Sequence, residues 1–145
     1  MQIITKLVVT IALAALTVSQ AHAQESSIYC LVVHRDNAMT EIRASDVARI
    51  FLGKKTLWTS GKRIQPVMLE LQDAAVDQFV QDLLKQSSAQ FRTYWRKRLF
   101  SGGGAPPWVL DSQDEALAYV RKYPYAIGIV RRTGDTSGLC LKLTD

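Results

Sequence analysis

Few side chains in this sequence could do metal chemistry, and they are of two kinds. Beyond residue 23 the chain has one histidine, His34, and two cysteines, Cys30 and Cys140. An ordinary zinc site needs several histidine, cysteine or carboxylate ligands. One imidazole and a cysteine pair that we expect to be bridged cannot supply them. The sequence therefore predicts no metal site, and His34 is better interpreted as a residue at a strand end or in a cleft.

The segment Ser101-Gly102-Gly103-Gly104 is rich in glycine. Glycine-rich loops cradle phosphates in P-loop proteins, but there a Lys-Ser/Thr pair follows, whereas here the chain continues Ala105-Pro106-Pro107. The segment is weak as a phosphate cradle and typical of a mobile loop. The sequence has no Gly-x-Ser-x-Gly nucleophile elbow, and no pair of carboxylates stands out for acid–base chemistry. We therefore expect neither an enzyme nor a cofactor.

A basic run is the strongest charge feature of the chain. It consists of Arg92, Arg96, Lys97 and Arg98. Arg92 and Arg96 are four residues apart and lie on one face of a predicted helix. A solvated helix face accounts for such a run, and contact with an acidic partner or an anionic surface is the functional alternative. Arg131 and Arg132 could extend this basic patch.

The first 23 residues have the three parts of a cleavable secretory signal. Lys6 supplies the positive charge, Leu7 to Val18 is an apolar run, and Ala21-His22-Ala23 is a small-x-small cleavage site. The apolar run is shorter than the roughly 20 residues that a membrane-spanning helix needs. We expect cleavage after Ala23, a periplasmic or secreted protein and no membrane span in it; an uncleaved signal anchor is the alternative.

The part after the signal, 24–145, has the size of one domain. Its 122 residues suffice for one hydrophobic core and are too few for two. Without Lys6, 17 basic side chains face 13 acidic ones. This mild excess of positive charge selects no particular partner. No motif that reads nucleic acids is recognisable, so we expect no nucleic-acid partner.

Export would place Cys30 and Cys140 in an oxidising compartment, where an even number of cysteines is usually bridged. We therefore predict a Cys30–Cys140 disulfide that ties the first strand to the last segment. Two free buried thiols are the alternative.

Hydrophobic periodicity and capping residues predict strands that alternate with helices, and hence an α/β layer structure with a mixed sheet. Strands are predicted over 28–33, 64–69, 125–130 and 139–143. Pro66 places the second strand at an edge or gives it an irregular start. Four helices are predicted: the first over 46–52, the second from 73 to about 85, the third ending at about 99 and the fourth ending at 123. Their predicted N-cap residues are, in the same order, Ser45, Asp73, Ser87 or Ser88, and Ser112. The predicted apolar side of the third helix consists of Phe91, Tyr94, Trp95 and Leu99.

Several short motifs follow one another in a distinctive order. Ile50-Phe51-Leu52-Gly53 precedes Trp58, Gly61 and Pro66-Val67, and later come Tyr94-Trp95, Phe100-x-Gly102, Pro106-Pro107 and Ala126-Ile127-Gly128-Ile129-Val130. In this order they resemble the periplasmic phosphate-binding proteins of ABC transporters, which have the type II periplasmic-binding-protein-like fold. The resemblance covers about residues 32–130. It implies a single-lobe three-layer α/β sandwich with a mixed sheet flanked by helices, similar to the second of the two lobes in full-length relatives.

The departures from that family concern its phosphate-binding residues. In such proteins the strand that ends at Pro-Val leads to an Arg and then to Ser-Gly-Thr at a helix N-terminus. Here Leu69 stands in the Arg position, and Asp73, Ala74 and Ala75 stand in the Ser-Gly-Thr positions. A carboxylate at the positive end of a helix would cap it and repel phosphate. The resemblance therefore implies the fold, while phosphate binding does not carry over residue by residue.

Two functions follow as hypotheses. The first is a non-catalytic module that binds or senses a solute, such as a small anion held in another manner. Its candidate ligand-binding residues are His34, Arg35, Asn37, Ser45, Asp73, Ser101, Gly102, Gly103 and Gly104. The second is an interaction domain that has lost small-ligand binding and docks onto an envelope protein. A single lobe has no opposing jaw, so tight ligand binding would require a dimer or a partner.

Overall fold

The computed structural model describes residues 27–145, so the predicted signal peptide and its cleavage site lie outside the described residues. The helices are α1 (Ala44–Phe51), α2 (Ala74–Leu84), α3 (Ser88–Phe100) and α4 (Gln113–Lys122). The strands are β1 (Tyr29–Val33), β2 (Glu41–Arg43), β3 (Gln65–Met68), β4 (Trp108–Val109), β5 (Ala126–Arg131) and β6 (Lys142–Thr144). Single 3-10 turns cover Arg35–Asn37 and Ser137–Leu139.

The main sheet has four strands in the order β1-β5-β3-β4. Strands β3, β4 and β5 run parallel, and β1 is antiparallel to β5. Neighbouring residues of a strand point to opposite faces. Tyr29 of β1 contacts Phe79 of α2, while Val120 of α4 lies against Gly128 of β5, the partner of Val32. The predicted α/β fold with a mixed sheet flanked by helices is confirmed.

The core lies between this sheet and the helices. The β5 residues from Ala126 to Val130 are fully buried, as expected of a central strand covered on both faces. Phe51 of α1 and Phe79 of α2 meet edge to face with ring centroids 5.0 Å apart. Aromatic pairs favour this geometry because the positive edge of one ring faces the negative face of the other.

One helix boundary and one strand position differ from the predictions. Helix α1 begins at Ala44, so Ser45 lies within its first turn and does not cap it; Arg43 is the N-cap residue and makes no capping side-chain bond. Strand β3 is internal, so Pro66 does not mark an edge strand. Pro66 is tolerated as the second residue of β3, because pairing with β4 starts only at Val67.

The C-terminal segment also differs from its prediction. A strand was predicted over 139–143, but Leu139 is the last residue of a 3-10 turn, and the strand β6 covers Lys142–Thr144. Strand β6 pairs in parallel with β2, which was not predicted, and the two form a separate small sheet. The Cys30–Cys140 disulfide is present, with the two Cα atoms 5.2 Å apart, and links β1 to this segment. The prediction of a bridge is confirmed.

Asp46 is a buried carboxylate in the first turn of α1, with a side chain that is 11% exposed. Its Oδ2 lies 3.0 Å from Arg43 Nη2 and 3.2 Å from Lys55 Nζ. Burial by itself would raise the pKa of Asp46, but the hydrogen bonds and charges of Arg43 and Lys55 outweigh it, so the pKa lies below its ordinary value. The ionised form therefore stabilises the fold.

This arrangement gives an expected dependence of stability on pH. A depressed carboxyl pKa contributes stability above the pKa of the unfolded chain, about 4, that is lost as the pH falls through the lower folded pKa. We expect the free energy of unfolding to fall with pH below about 4, and less steeply in Asp46→Asn than in the exposed Asp82→Asn control. Urea denaturation at several pH values measures this slope. Equal slopes in the two variants would contradict it.

Candidate functional site

The parallel strands β3, β4 and β5 end at one edge of the main sheet, which we call the carboxyl edge. Helix α2 follows β3 there and begins at the cap Asp73, and helix α4 follows β4 and begins at the cap Ser112. Arg131 is the last residue of β5. In α/β sheets, ligands bind outside the carboxyl ends of the strands, and helix N-termini there attract anions. This edge is therefore the first place to look for a ligand site.

The N-terminus of α2 is occupied by the chain's own carboxylate. Asp73 Oδ1 accepts a hydrogen bond from the Ala75 N–H at 2.9 Å, and Asp73 Oδ2 lies 2.7 Å from Arg131 Nε and 2.6 Å from Arg131 Nη2. The Asp73 side chain is only 8% exposed. A backbone N–H at a helix N-terminus and a guanidinium are the donors that an oxyanion would use. Here Asp73 already uses both.

Two further observations describe the same edge. Gln113, at the start of α4, fixes the backbone of Arg131, because its Oε1 accepts from the Arg131 N–H at 2.8 Å and its Nε2 donates to the Arg131 carbonyl at 3.4 Å. Leu69 is buried in the core and brings no donor. The sequence identified Asp73 but not its partner Arg131, nor Gln113, which holds the Arg131 backbone. The position of Arg131 directly after a buried strand was a signal for this edge.

The glycine loop and part of the basic run meet at the end of α1. Arg98 Nη2 donates to the carbonyls of Gly53 at 3.3 Å and Gly103 at 2.5 Å. Its guanidinium also lies over the Trp95 ring, 5.6 Å from the centroid. The assignment of Arg98 to the solvated face of α3 is therefore wrong. Leu99, which was predicted on the apolar side of α3, is instead 53% exposed.

The other basic residues are placed differently. Arg92, Arg96 and Lys97 are exposed on α3. Arg131 does not supply free charge to a patch, since it pairs with Asp73. Arg132 keeps its charge, and its Nε donates to the Ser27 carbonyl at 2.9 Å.

His34 and Arg35 lie at the edge of the sheet opposite Asp73. Strand β1 is antiparallel to β5, with Tyr29 opposite Arg131 and Val33 opposite Ile127, so the residue after β1 emerges at the amino end of β5. His34 caps the 3-10 turn through its Nδ1, which accepts from the Asp36 N–H at 3.1 Å. Asn37 in that turn lines a different hollow, beside Trp58 and Tyr125.

The predicted ligand-binding residues therefore occupy separate places. Asp73 lies at the carboxyl edge, and His34 and Arg35 lie at the opposite one. Gly103 and Gly104 line a hollow with Gly53 and Trp95, while Ser101 and Gly102 are exposed just after α3 and Ser45 is exposed on α1. The structure does not bring them into a single site.

Within residues 27–145, no three His, Cys, Asp or Glu side chains are grouped closely enough to hold a metal ion. Over the same range, no helix is both long and apolar enough to cross a bilayer.

The fold and the carboxyl edge define a single lobe of the periplasmic-binding-protein-like kind. Solved structures with a similar fold include the following three. PstS from Borrelia burgdorferi is 16% identical, with a TM-score of 0.59 over 81% of this chain and 47% of that one. A putative phosphate ABC transporter substrate-binding protein with bound phosphate from Clostridium perfringens is 18% identical, with a TM-score of 0.57 over 79% and 44%. A possible phosphate binding protein from Planctomyces limnophilus DSM 3776 is 12% identical, with a TM-score of 0.58 over 81% and 41%.

At sequence identities this low, the comparisons establish the fold and nothing further about the chain. The chain matches less than half the length of each of these proteins. No family model and no curated protein matches the sequence. The predicted resemblance to a single lobe of the phosphate-binding proteins is confirmed at the level of the fold.

Proposed function

We propose that this chain is an exported, non-catalytic binding module with a phosphate-binding-protein-like lobe, whose carboxyl edge does not hold phosphate. The observation that carries the proposal is the Asp73 carboxylate at the N-terminus of α2, paired with Arg131. It takes up both the Ala75 N–H and the Arg131 guanidinium at the carboxyl edge, the edge at which open α/β sheets bind ligands. Export is supported by the Cys30–Cys140 disulfide and by the sequence of residues 1–23.

The free energy of phosphate binding that is lost with these donors is large. Hydrogen bonds to charged groups contribute about 1.5–3 kcal/mol each, and each 1.4 kcal/mol changes affinity about tenfold. Leu69, Ala74 and Ala75 bring no side-chain donors to this edge. Phosphate would in addition have to displace Asp73 or lie beside a like charge. The loss of several such bonds removes many orders of magnitude of affinity.

A second candidate function is docking to an envelope protein, and two exposed aromatic side chains favour it. Phe100, at the end of α3, is 88% exposed, and Trp108, on the edge strand β4, is 66% exposed. Large exposed aromatic side chains are enriched at protein interfaces. Co-purification of an envelope protein with the native chain, lost in Phe100→Ser together with Trp108→Ser, would favour this function over solute binding.

Titration calorimetry with inorganic phosphate at neutral pH tests the first proposal. We expect no binding by the wild-type protein tighter than about 1 mM, because the donors are absent or used. Asp73→Ser removes the charge, leaves a capping hydroxyl and frees Arg131. That variant should bind phosphate at least about tenfold more tightly than the wild type.

Asp82→Ser is the matched control, because it removes the same charge from the exposed surface of the same helix. It should leave phosphate binding unchanged. A micromolar dissociation constant for the wild type would show that the carboxyl edge, or another site, grips phosphate after all. It would overturn the proposal.

A further inference from the structure

A cleft of about 620 Å³ opens at the edge of the sheet opposite Asp73. This volume lies within the roughly 300–1,000 Å³ typical of small-molecule sites. The cleft lies between the end of β1, the α4 helix and the segment that precedes β6. Its apolar walls come from Val32, Met39, Leu117, Val120, Leu139 and Leu141. Such walls suit a ligand with an apolar body.

His34 provides a buried polar group in this cleft. Its side chain is 9% exposed, and it lines the cleft. Because Nδ1 accepts from the Asp36 N–H, the proton of the neutral ring lies on Nε2. Among residues 27–145, Nε2 has no hydrogen-bond partner. Nε2 is reached by solvent, since the buried side-chain atoms without a partner in the described residues are Gln65 Oε1, Gln86 Oε1 and Arg98 Nε. It is therefore available to donate to an acceptor oxygen of a ligand in the cleft.

The charged residues that line the cleft are both basic. Arg35 and Arg121 line it, and both are exposed; no acidic residue is among its lining. Asp36 is the nearby acid, 3.7 Å from Arg35 Nε and from His34 Nδ1, and it lines the neighbouring hollow instead. An anionic group at the mouth would therefore meet the Arg121 guanidinium, whereas the Arg35 guanidinium is 92% exposed and lies beside Asp36.

We propose that this cleft binds a small organic anion with an apolar body, such as a medium-chain carboxylate. The apolar body lies between Leu117 and Leu141, an oxygen accepts from His34 Nε2, and the negative charge faces Arg121. The proposal rests on the proposed function, in that the chain acts by binding, and names the class of ligand. It places that ligand at the opposite edge of the sheet from Asp73, so the two sites can be tested separately.

The test uses 1-anilinonaphthalene-8-sulfonate, an amphipathic anion that fluoresces in apolar surroundings. We expect saturable binding of one probe per chain, displaced by octanoate and far less by octan-1-ol. Arg121→Ala should weaken probe binding about tenfold, the effect of losing one charge-assisted contact. Arg92→Ala is the matched control, since it removes the same charge from an exposed helix position outside the cleft.

A second pair of variants changes the cleft without changing the core. Leu139→Glu places a negative charge in the lining at a residue that is 51% exposed, and Leu57→Glu makes the same change at a residue that is 52% exposed elsewhere. Only Leu139→Glu should weaken probe binding. Non-saturable binding, or equal effects within either pair, would overturn the cleft proposal. Phosphate calorimetry on the wild type is independent of these results, so it bears on the proposed function alone.

Discussion

A variant with both Cys30→Ala and Cys140→Ala is expected to lose about 4 kcal/mol of unfolding free energy. The disulfide spans 110 positions, and closing a loop of about 100 residues lowers the entropy of the unfolded chain by an amount worth about 4.7 kcal/mol. Alanine is chosen because Cys30 is only 1% exposed, and burying a serine hydroxyl at this position would itself cost free energy. Unfolding free energies of about 5–15 kcal/mol are typical of native proteins, so this loss is a large fraction of the total stability.

Urea denaturation of the oxidised wild type and of the double variant measures this loss. The wild type reduced with dithiothreitol is the control, and its unfolding free energy should approach that of the double variant. A difference below about 1 kcal/mol would contradict the expectation, because the bridge would then restrict the unfolded chain far less than the entropy model requires.

Gly53→Ala is expected to destabilise the protein by about 3 kcal/mol, for two separate reasons. Gly53 has a φ of 69°, a left-handed conformation that costs other residues roughly 1–2 kcal/mol. A Cβ there would also lie 2.6 Å from Trp95 Cη2. Trp95 cannot move aside easily, because it is 5% exposed and its Nε1 donates to the Phe51 carbonyl at 3.2 Å. Overpacking of this kind costs about 1–3 kcal/mol.

The chain contains a control for each of the two causes. Gly61 has a φ of 78° and no atom within 4 Å of an added Cβ, so Gly61→Ala measures backbone strain alone. Gly128 has no positive φ, and its added Cβ would lie 3.0 Å from Val120 and 3.2 Å from Val67, so Gly128→Ala measures crowding alone. In thermal or urea unfolding, Gly53→Ala should lose about the sum. A loss no greater than that of Gly61→Ala would show that Trp95 yields.

The sequence was informative where local signals and burial agree. The apolar spacing of α2 and its Asp73 cap fixed that helix closely, and the buried run of β5 was found with its boundaries shifted by a single residue. Strands β2 and β4 were missed because they have three and two residues, respectively. Such strands carry almost no pattern of their own and form only because a partner strand lies beside them.

The face of α3 was misread for a geometric reason. Successive residues of a helix turn by about 100°, so Arg98, seven positions after Phe91, lies nearer the centre of the buried face than Leu99 does. Hydrophobicity favours leucine over arginine for a buried face. The sequence could not show that the Arg98 guanidinium would find the Gly53 and Gly103 carbonyls and the Trp95 ring. Long charged side chains are buried in this way when their ends have partners.

The candidate site depended on a strand direction that no local signal contains. His34 and Arg131 both follow buried strands, and in a fully parallel sheet both would lie at the same edge. Strand β1 is antiparallel, so the two residues lie at opposite ends of the sheet. The contact of Asp73 with Arg131 likewise joins residues 58 positions apart and appears only once β5 takes its place next to β3.

The pairing of β1 with β5 also decides when the chain can fold during its synthesis. Leu31 pairs with Ile129, so the first strand has to wait for nearly the whole domain before its partner exists. At roughly 5–20 residues per second, a ribosome needs on the order of 5–20 s to make that stretch. Throughout this interval the apolar segment Tyr29–Val33 has no partner strand and is a target for chaperones or aggregation. For the exported protein that we propose, this delay would keep the chain unfolded while it is threaded through a narrow translocation channel.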